Sequence, residues 1–304
     1  MFFSFKQKIG NLIIKDHCIR YVELKTRDPL TLSMYEEHII PHGIITDGRI
    51  MNSDALSLIL DECVTKWGIK GRKIRFTIPD SHVVIRKVPV PADLEDDEIR
   101  GHLYVEIGSK IHLPFEEAAF DYAVLNNDGK MQELILFASS EELVEQYTNI
   151  LEEAKLKPVV ADISSLCCYR LYRNLMKEEK TVTALLIQFD LTSENFCIFK
   201  DDKPVFMRNL LREDMEERRK EDIYIVADEM LKEIEHVVNF YRYSLTQGSE
   251  EVNQFIITGD HPNLEAIFKQ LKANLVTPIT LLSADDTIPY SFHLLAGLAL
   301  KEEG

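Results

Sequence analysis

With 304 residues, 45% hydrophobic and 28% charged, the chain has room for about two lobes of roughly 150 residues, each with its own core, and is too poor in glycine and proline for a fibrous class. A formal charge of −16 opposes phosphate backbones and anionic lipid, which excludes nucleic acid as a partner class. Five cysteines, Cys18, Cys63, Cys167, Cys168 and Cys197, lie in or beside apolar runs and read as reduced thiols of a cytosolic protein.

The aromatic start Met1-Phe-Phe-Ser-Phe-Lys6 lacks the apolar core and cleavage site of a signal peptide. No run of about 18 apolar residues follows, so membrane attachment would need a partner. Residues 11–25 read as two β runs split by Lys15-Asp16-His17, then a turn at residues 26–29 and a strand from Leu30. Residues 43–48 form a turn-rich loop. Leu56, Ile59, Leu60, Cys63, Val64 and Trp67 have helical spacing over 53–67, with Ser53 as the expected cap. A strand over 73–78 precedes a small α+β insertion: a β run at 81–90, a helix with Ile99, Leu103 and Ile107, and an extended segment over 111–125. A strand at 133–138, a helix at 141–154, a strand at 158–162 and a helix at 164–176 follow, and Lys177-Glu-Glu-Lys180 is the expected domain joint.

Residues 182–210 repeat the opening order of strand, polar break, strand, turn and strand, which suggests an internal duplication. After the charged stretch 212–222 come a long helix over 224–245, a strand at 254–258, a turn at Gly259-Asp260, a helix from Asn263 and a closing apolar helix over 290–300. Two lobes that each open in such a meander suggest a two-lobed actin-like architecture with nucleotide between the lobes.

Standard catalytic signatures are missing, and no histidine stands with a cysteine or second histidine at metal-ligand spacing, so no metal site is expected. A phosphate-gripping hairpin needs small residues, because backbone N–H groups must approach the ligand closely. Here the first loop, Ile13 to Cys18, has no glycine, serine or threonine. The second, Phe189 to Glu194, keeps two hydroxyls, and Thr258-Gly259-Asp260 keeps a glycine. Asp16, Asp190, Thr192, Ser193 and Gly259 therefore read as a residual nucleotide or Mg²⁺ site, or as ordinary turn chemistry.

Segment order and short motifs together resemble the PilM family of type IV pilus assembly, itself related to the cell-division protein FtsA. The motifs are Ile19-Arg-Tyr-Val-Glu-Leu24, Gly43 to Ile50, Val84-Ile-Arg-Lys-Val-Pro89, Ile111-His-Leu-Pro-Phe115, Glu152 to Pro158, Asp202 to Arg208 and Ala296-Gly-Leu-Ala-Leu300. The resemblance implies an α/β actin-like ATPase fold of two RNase H-like halves with a 1C-type insertion. The divisions expected are 1A (1–79 and 156–178), 1C (80–155), 2A (179–215 and 246–304) and 2B (216–245). It also implies a groove between 1A and 1C that receives the cytoplasmic N-terminal peptide of a PilN-like inner-membrane protein, with Val84, Ile85, Arg86, Leu103, Ile111 and Phe115 as its candidate wall or as 1C core. Family loops of the D-I-G type carry Ile13 and Lys15 here at the positions of Asp and Gly; Lys15 would block close backbone approach while its ammonium would attract phosphate, so the expectation is either no cofactor or weakly bound Mg-ATP, without turnover. The leading expectation is a cytoplasmic pilus-assembly scaffold recruited to the membrane by its partner, with self-association and other pilus components left open. The alternatives are an active actin-like Mg-ATPase and an FtsA-like filament, the latter at odds with the absence of an amphipathic anchor at 300–304.

Overall fold

The computed structural model describes residues 9–177, 182–212, 222–284 and 288–302. The first lobe opens with β1 (Gly10–Lys15), β2 (Cys18–Arg27) and β3 (Leu30–Ile39), a meander in which β1 and β2 pair antiparallel. A small hairpin, β4 (Ile45–Thr46) and β5 (Arg49–Ile50), leads into α1 (Ser53–Trp67), and β6 (Lys73–Ile78) then lies parallel to β1. The cap of α1 is Asn52, whose Oδ1 accepts from the Ala55 nitrogen at 3.0 Å, so the helix takes its cap one residue before the expected Ser53.

The insertion comprises β7 (Val84–Pro91), α2 (Asp96–Glu106), β8 (Ala118–Asn127) and β9 (Met131–Ser140), paired in the order β7-β9-β8. The chain returns through α3 (Glu141–Glu153), β10 (Lys157–Ile163) parallel to β6, and α4 (Ser164–Met176). The second lobe repeats the plan: β11 (Ala184–Phe189), β12 (Ser193–Lys200) and β13 (Lys203–Leu211) form the meander, α5 (Ile223–Asn239) follows, and β14 (Gln254–Thr258), α6 (Leu264–Asn274) and β15 (Ile279–Leu281) complete the sheet. The two sheets read β3-β2-β1-β6-β10 and β13-β12-β11-β14-β15, the same order of meander and parallel strands twice. The expected duplication is therefore present at the level of topology.

Strand alternation sets the layers. Leu12, Ile14, Ile19 and Tyr21 face α1 and α3, whereas Ile13 and Val22 face the opposite way onto α4 and α7 (His293–Ala299). Ala184, Leu186 and Cys197 of the second sheet meet the same two helices from the other side, and Leu185, Ile187 and Phe196 face α5 and α6. The helices α4 and α7 are thus a shared central layer between two sheets. The carbonyls that end α7 are held by arginines, Arg170 on Gly297 at 2.9 Å, Arg27 on Leu300 at 3.2 Å and Arg75 on Ala299 at 3.4 Å, which satisfy its C-terminal acceptors and complement its dipole.

Packing assigns the helices that flank the insertion and the second sheet to particular cores. Leu143, Tyr147, Ile150 and Leu151 of α3 join the first-lobe core, so the insertion keeps a core of its own only over residues 84–140, built from Val88, Val90, Ile99, Leu103, Leu134 and Leu136. Residues 223–245 pack on the second sheet through Val226, Met230, Ile234, Val237 and Tyr241. The single helix expected over 224–245 instead turns π-helical at Phe240–Leu245, where Thr246 bonds back to Tyr241 and the Tyr241 hydroxyl donates to Glu250 at 2.6 Å. The Lys177 to Lys180 joint falls beyond Lys177 on residues outside those described, as does most of the charged stretch 212–222.

Candidate functional site

Two hairpin turns face each other across the lobes. Because β1 alternates, the residues that share Ile13's face are Asn11 and Lys15, and across the hairpin their partners are Val22, Arg20 and Cys18. Lys15 and Arg20 therefore point at the second lobe. Lys15 Nζ lies 2.8 Å from Asp190 Oδ2 and 2.8 Å from Asp260 Oδ2, and Arg20 Nη1 reaches Asp260 Oδ2 at 2.5 Å while its Nε donates to Glu37. The carboxylates are fixed from their own lobe: Asp190 Oδ1 accepts from the Asp260 nitrogen at 3.0 Å, and Asp260 Oδ1 from the Leu191 nitrogen at 3.0 Å.

Burial alone would lower the affinity of the Lys15 ammonium for its proton, but the charges of Asp190 and Asp260 reverse this and hold its pKa above the ordinary lysine value. Burial would likewise raise the Asp260 pKa, and Lys15, His17 and Arg20 hold it well below the carboxylate range. His17, Cys18 and Asp260 bring ligand atoms within 4.8 Å of one another. Asp260 is already neutralised there by two cations, and burial pushes the Cys18 thiol up to about 12, so this triad suits a divalent metal poorly.

Asp16, Asp190, Thr192 and Ser193 all line one interlobe cavity of about 70 Å³, together with Lys15, Asp80, Ser164 and Gln188. Small-molecule pockets run to several hundred Å³, so the closed cleft has little room. Asp16 is spent on the fold, accepting from the backbone nitrogens of Asp47 at 2.7 Å and Gly48 at 2.9 Å. Gly259 is absent from the cavity lining. It sits at φ +134°, and a Cβ there would come within 2.7 Å of the Phe189 nitrogen and closer still to the Phe189 carbonyl. Its glycine is required by the packing of β14 against β11.

Asp80 and Ser164, absent from the sequence-derived set, meet at the same cavity, with the Ser164 hydroxyl 2.5 Å from either carboxylate oxygen. Burial, with Asp190's charge, raises the Asp80 pKa from 3.8 to about 6 against the hydrogen bond from Ser164. A raised folded pKa means that stability is gained as pH falls through about 6 and is lost as pH rises from about 4 to 6. Asp80→Asn is accordingly expected to be more stable than the parent at pH 7.5 by about 2 kcal/mol, a figure discounted because Asp80 is only half-buried. The gap should close towards pH 4 in urea titrations, and a gap that does not change with pH would refute the assignment.

A second, larger cavity of about 660 Å³ lies between the first lobe and the insertion, lined by Arg49, Ile50, Met51, His82, Val84, Pro114, Phe115 and Leu143 among others. Of the six residues expected at a partner surface, Val84 and Phe115 line it. Ile85 pairs with Phe137 and faces the other side of the sheet from Val84, Arg86 is exposed on β7, and Leu103 and Ile111 are buried in the insertion core. Ile50, Met51 and Leu143 went unrecognised because they belong to the first lobe and meet the insertion only through the fold.

The sequence model of the family described as type IV pilus assembly protein PilM matches residues 12–212. The chain belongs to the PilM family. Among solved structures it resembles a PilM-PilN type IV pilus biogenesis complex, at 19% identity with a TM-score of 0.77 over 96% of this chain and 98% of that one. Ethanolamine utilization protein EutJ of Carboxydothermus hydrogenoformans matches at 9% identity and a TM-score of 0.57, covering 96% and 88%. A Bacteroides thetaiotaomicron protein described as having an actin-like ATPase fold and unknown function matches at 12% and 0.50, covering 99% and 100%. This PilM-family chain therefore has the actin-like ATPase fold, and among its described residues no helix is long and apolar enough to cross a membrane.

Proposed function

We propose that this PilM-family chain is a scaffold on the cytoplasmic face of the membrane, which seats the N-terminal peptide of a PilN-like inner-membrane protein and does not turn over nucleotide. The observation that carries the reading is the 660 Å³ groove at the junction of first lobe and insertion, with Ile50, Met51, Val84, Pro114, Phe115 and Leu143 as apolar walls and Arg49, His82 and Glu142 among its polar groups. An extended peptide gains affinity by placing apolar side chains in such walls, and the mixed rim orients it. A likeness to a PilM-PilN complex supports the choice of partner. In this reading residues 84–140 act as the 1C subdomain. Asp16, Asp190, Thr192 and Ser193 remain as the vestige of a nucleotide site, closed by Lys15.

Fluorescence anisotropy with a labelled peptide of the PilN-like protein's cytoplasmic N-terminus tests it. Val84→Asp and Phe115→Asp are each expected to weaken binding tenfold or more, about 1.4 kcal/mol, while Leu58→Asp, on the exposed face of α1, leaves it unchanged. Absence of saturable binding by the parent chain, or steady Mg-ATP hydrolysis by it, would overturn the reading.

A further inference from the structure

We infer that Lys15 is a built-in ligand of the interlobe site: its tethered ammonium fills a socket for a small cation made by the second lobe and so holds the two lobes closed. The inference rests on the reading of the cleft as one that no longer processes nucleotide, and it adds what occupies the cleft instead.

The socket is complete without Lys15. Asp190 and Asp260 come from different elements, the β11–β12 turn and the end of β14, and each spends its Oδ1 on a backbone nitrogen near the other. Gln188 Nε2 donates to Asp190 Oδ2 at 2.5 Å. The two Oδ2 atoms that remain converge on one point, and Lys15 Nζ stands there at 2.8 Å from both. Such a pair of fixed carboxylates in a nearly closed cleft repels itself and calls for a cation between them. The first lobe provides that cation from the last residue of β1, turned inward by strand alternation, and Arg20 adds a second bond to Asp260. These are contacts from the hairpin of one lobe to the hairpin and strand end of the other. An ammonium delivered by the chain carries no loss of translational freedom on binding, which favours it over any free ion.

Lys15→Ala removes the ammonium that bridges the two Oδ2 atoms, with Arg20 still on Asp260, and leaves room for a short alkylammonium beside Asp190, so the test is chemical rescue in the full-length chain. Thermal unfolding is measured in sodium chloride, ethylammonium chloride and tetramethylammonium chloride at equal ionic strength. Lys15→Ala is expected to melt several degrees below the parent in sodium chloride, with at least half of that loss recovered in ethylammonium and none in tetramethylammonium, which has no N–H to donate. The parent and Lys15→Arg should show no such selectivity. Dye pairs at Leu58→Cys and Val276→Cys, both highly exposed positions on opposite lobes, report the distance across the cleft. That distance should broaden or lengthen in Lys15→Ala and narrow again with ethylammonium. If Lys15→Ala does not fold in sodium chloride, refolding in ethylammonium but not in tetramethylammonium supports the socket. Failure to refold in either, an unchanged melting point and distance, or equal effects of the two ions overturn it. Peptide binding is measured alongside: its loss in the parent chain strikes the proposed partner alone, whereas absence of selective rescue with peptide binding intact strikes the socket alone.

Discussion

Gly259→Ala is expected to destabilise the second lobe by about 3 kcal/mol, read as a lowered urea midpoint with unchanged slope. Two costs add. The residue sits at φ +134°, where an L side chain is strained, and its Cβ would overlap the Phe189 backbone, whose carbonyl also accepts from the His261 nitrogen at 3.2 Å. The overlap is with main chain of the adjacent parallel strand, so relief requires β14 to part from β11, and no side-chain rotation suffices. Because the Asp260 nitrogen donates to Asp190, any such movement also disturbs the paired carboxylates. A cost under about 1 kcal/mol would show that the strand end yields freely, and would reopen Gly259 as a ligand-side glycine rather than a packing one.

The same residue shows how far the sequence can be read. A glycine after an apolar strand signals a special backbone position, and that much was legible; whether ligand or neighbouring strand demands it depends on what lies opposite, which no local pattern states. The meanders were legible because alternation is local: Leu12 and Ile14 on one face, Ile13 and Lys15 on the other. Lys15 could be seen to obstruct a phosphate loop, yet its carboxylate partner Asp260 is 245 residues away in sequence. Asp80 and Ser164 were invisible for the same reason, 84 residues apart and joined only when β6 and β10 lie side by side. Periodicity identified α3 as a helix but not which sheet it covers, and it marked Leu103 and Ile111 as apolar without telling core from groove. The three-residue β15 has no fully buried position to announce it.

The largest loss is expected from Gly297→Ala. Gly297 lies in α7, within the motif Ala296-Gly-Leu-Ala-Leu300, and a Cβ there would come within 2.6 Å of the Cys167 carbonyl carbon, nearer still to its oxygen, and 3.3 Å from its Cα. Real Cβ atoms essentially never approach under 3.0 Å, so α4 and α7 would have to separate. Those helices form the layer shared by both sheets, where Cys167, Leu171, Leu295 and Leu298 are fully buried, and Arg170 spans the crossing to the Gly297 carbonyl. Close packing makes such a shift propagate: opening the layer uncovers apolar surface of both lobes and pulls Gly297 away from Arg170. A cost of about 4 kcal/mol or more follows, enough to leave the chain poorly folded at 37 °C if its total stability is ordinary. Gly101→Ala is the paired control. Gly101 lies in α2 with nothing within 4 Å of a built Cβ, and alanine there should stabilise by about 0.5–1 kcal/mol through helix propensity. Opposite signs from the same chemical change, measured by thermal unfolding of the two variants, are what the packing requires. Equal and small effects would mean that α4 and α7 do not cross at Gly297, and with that the shared central layer would be lost.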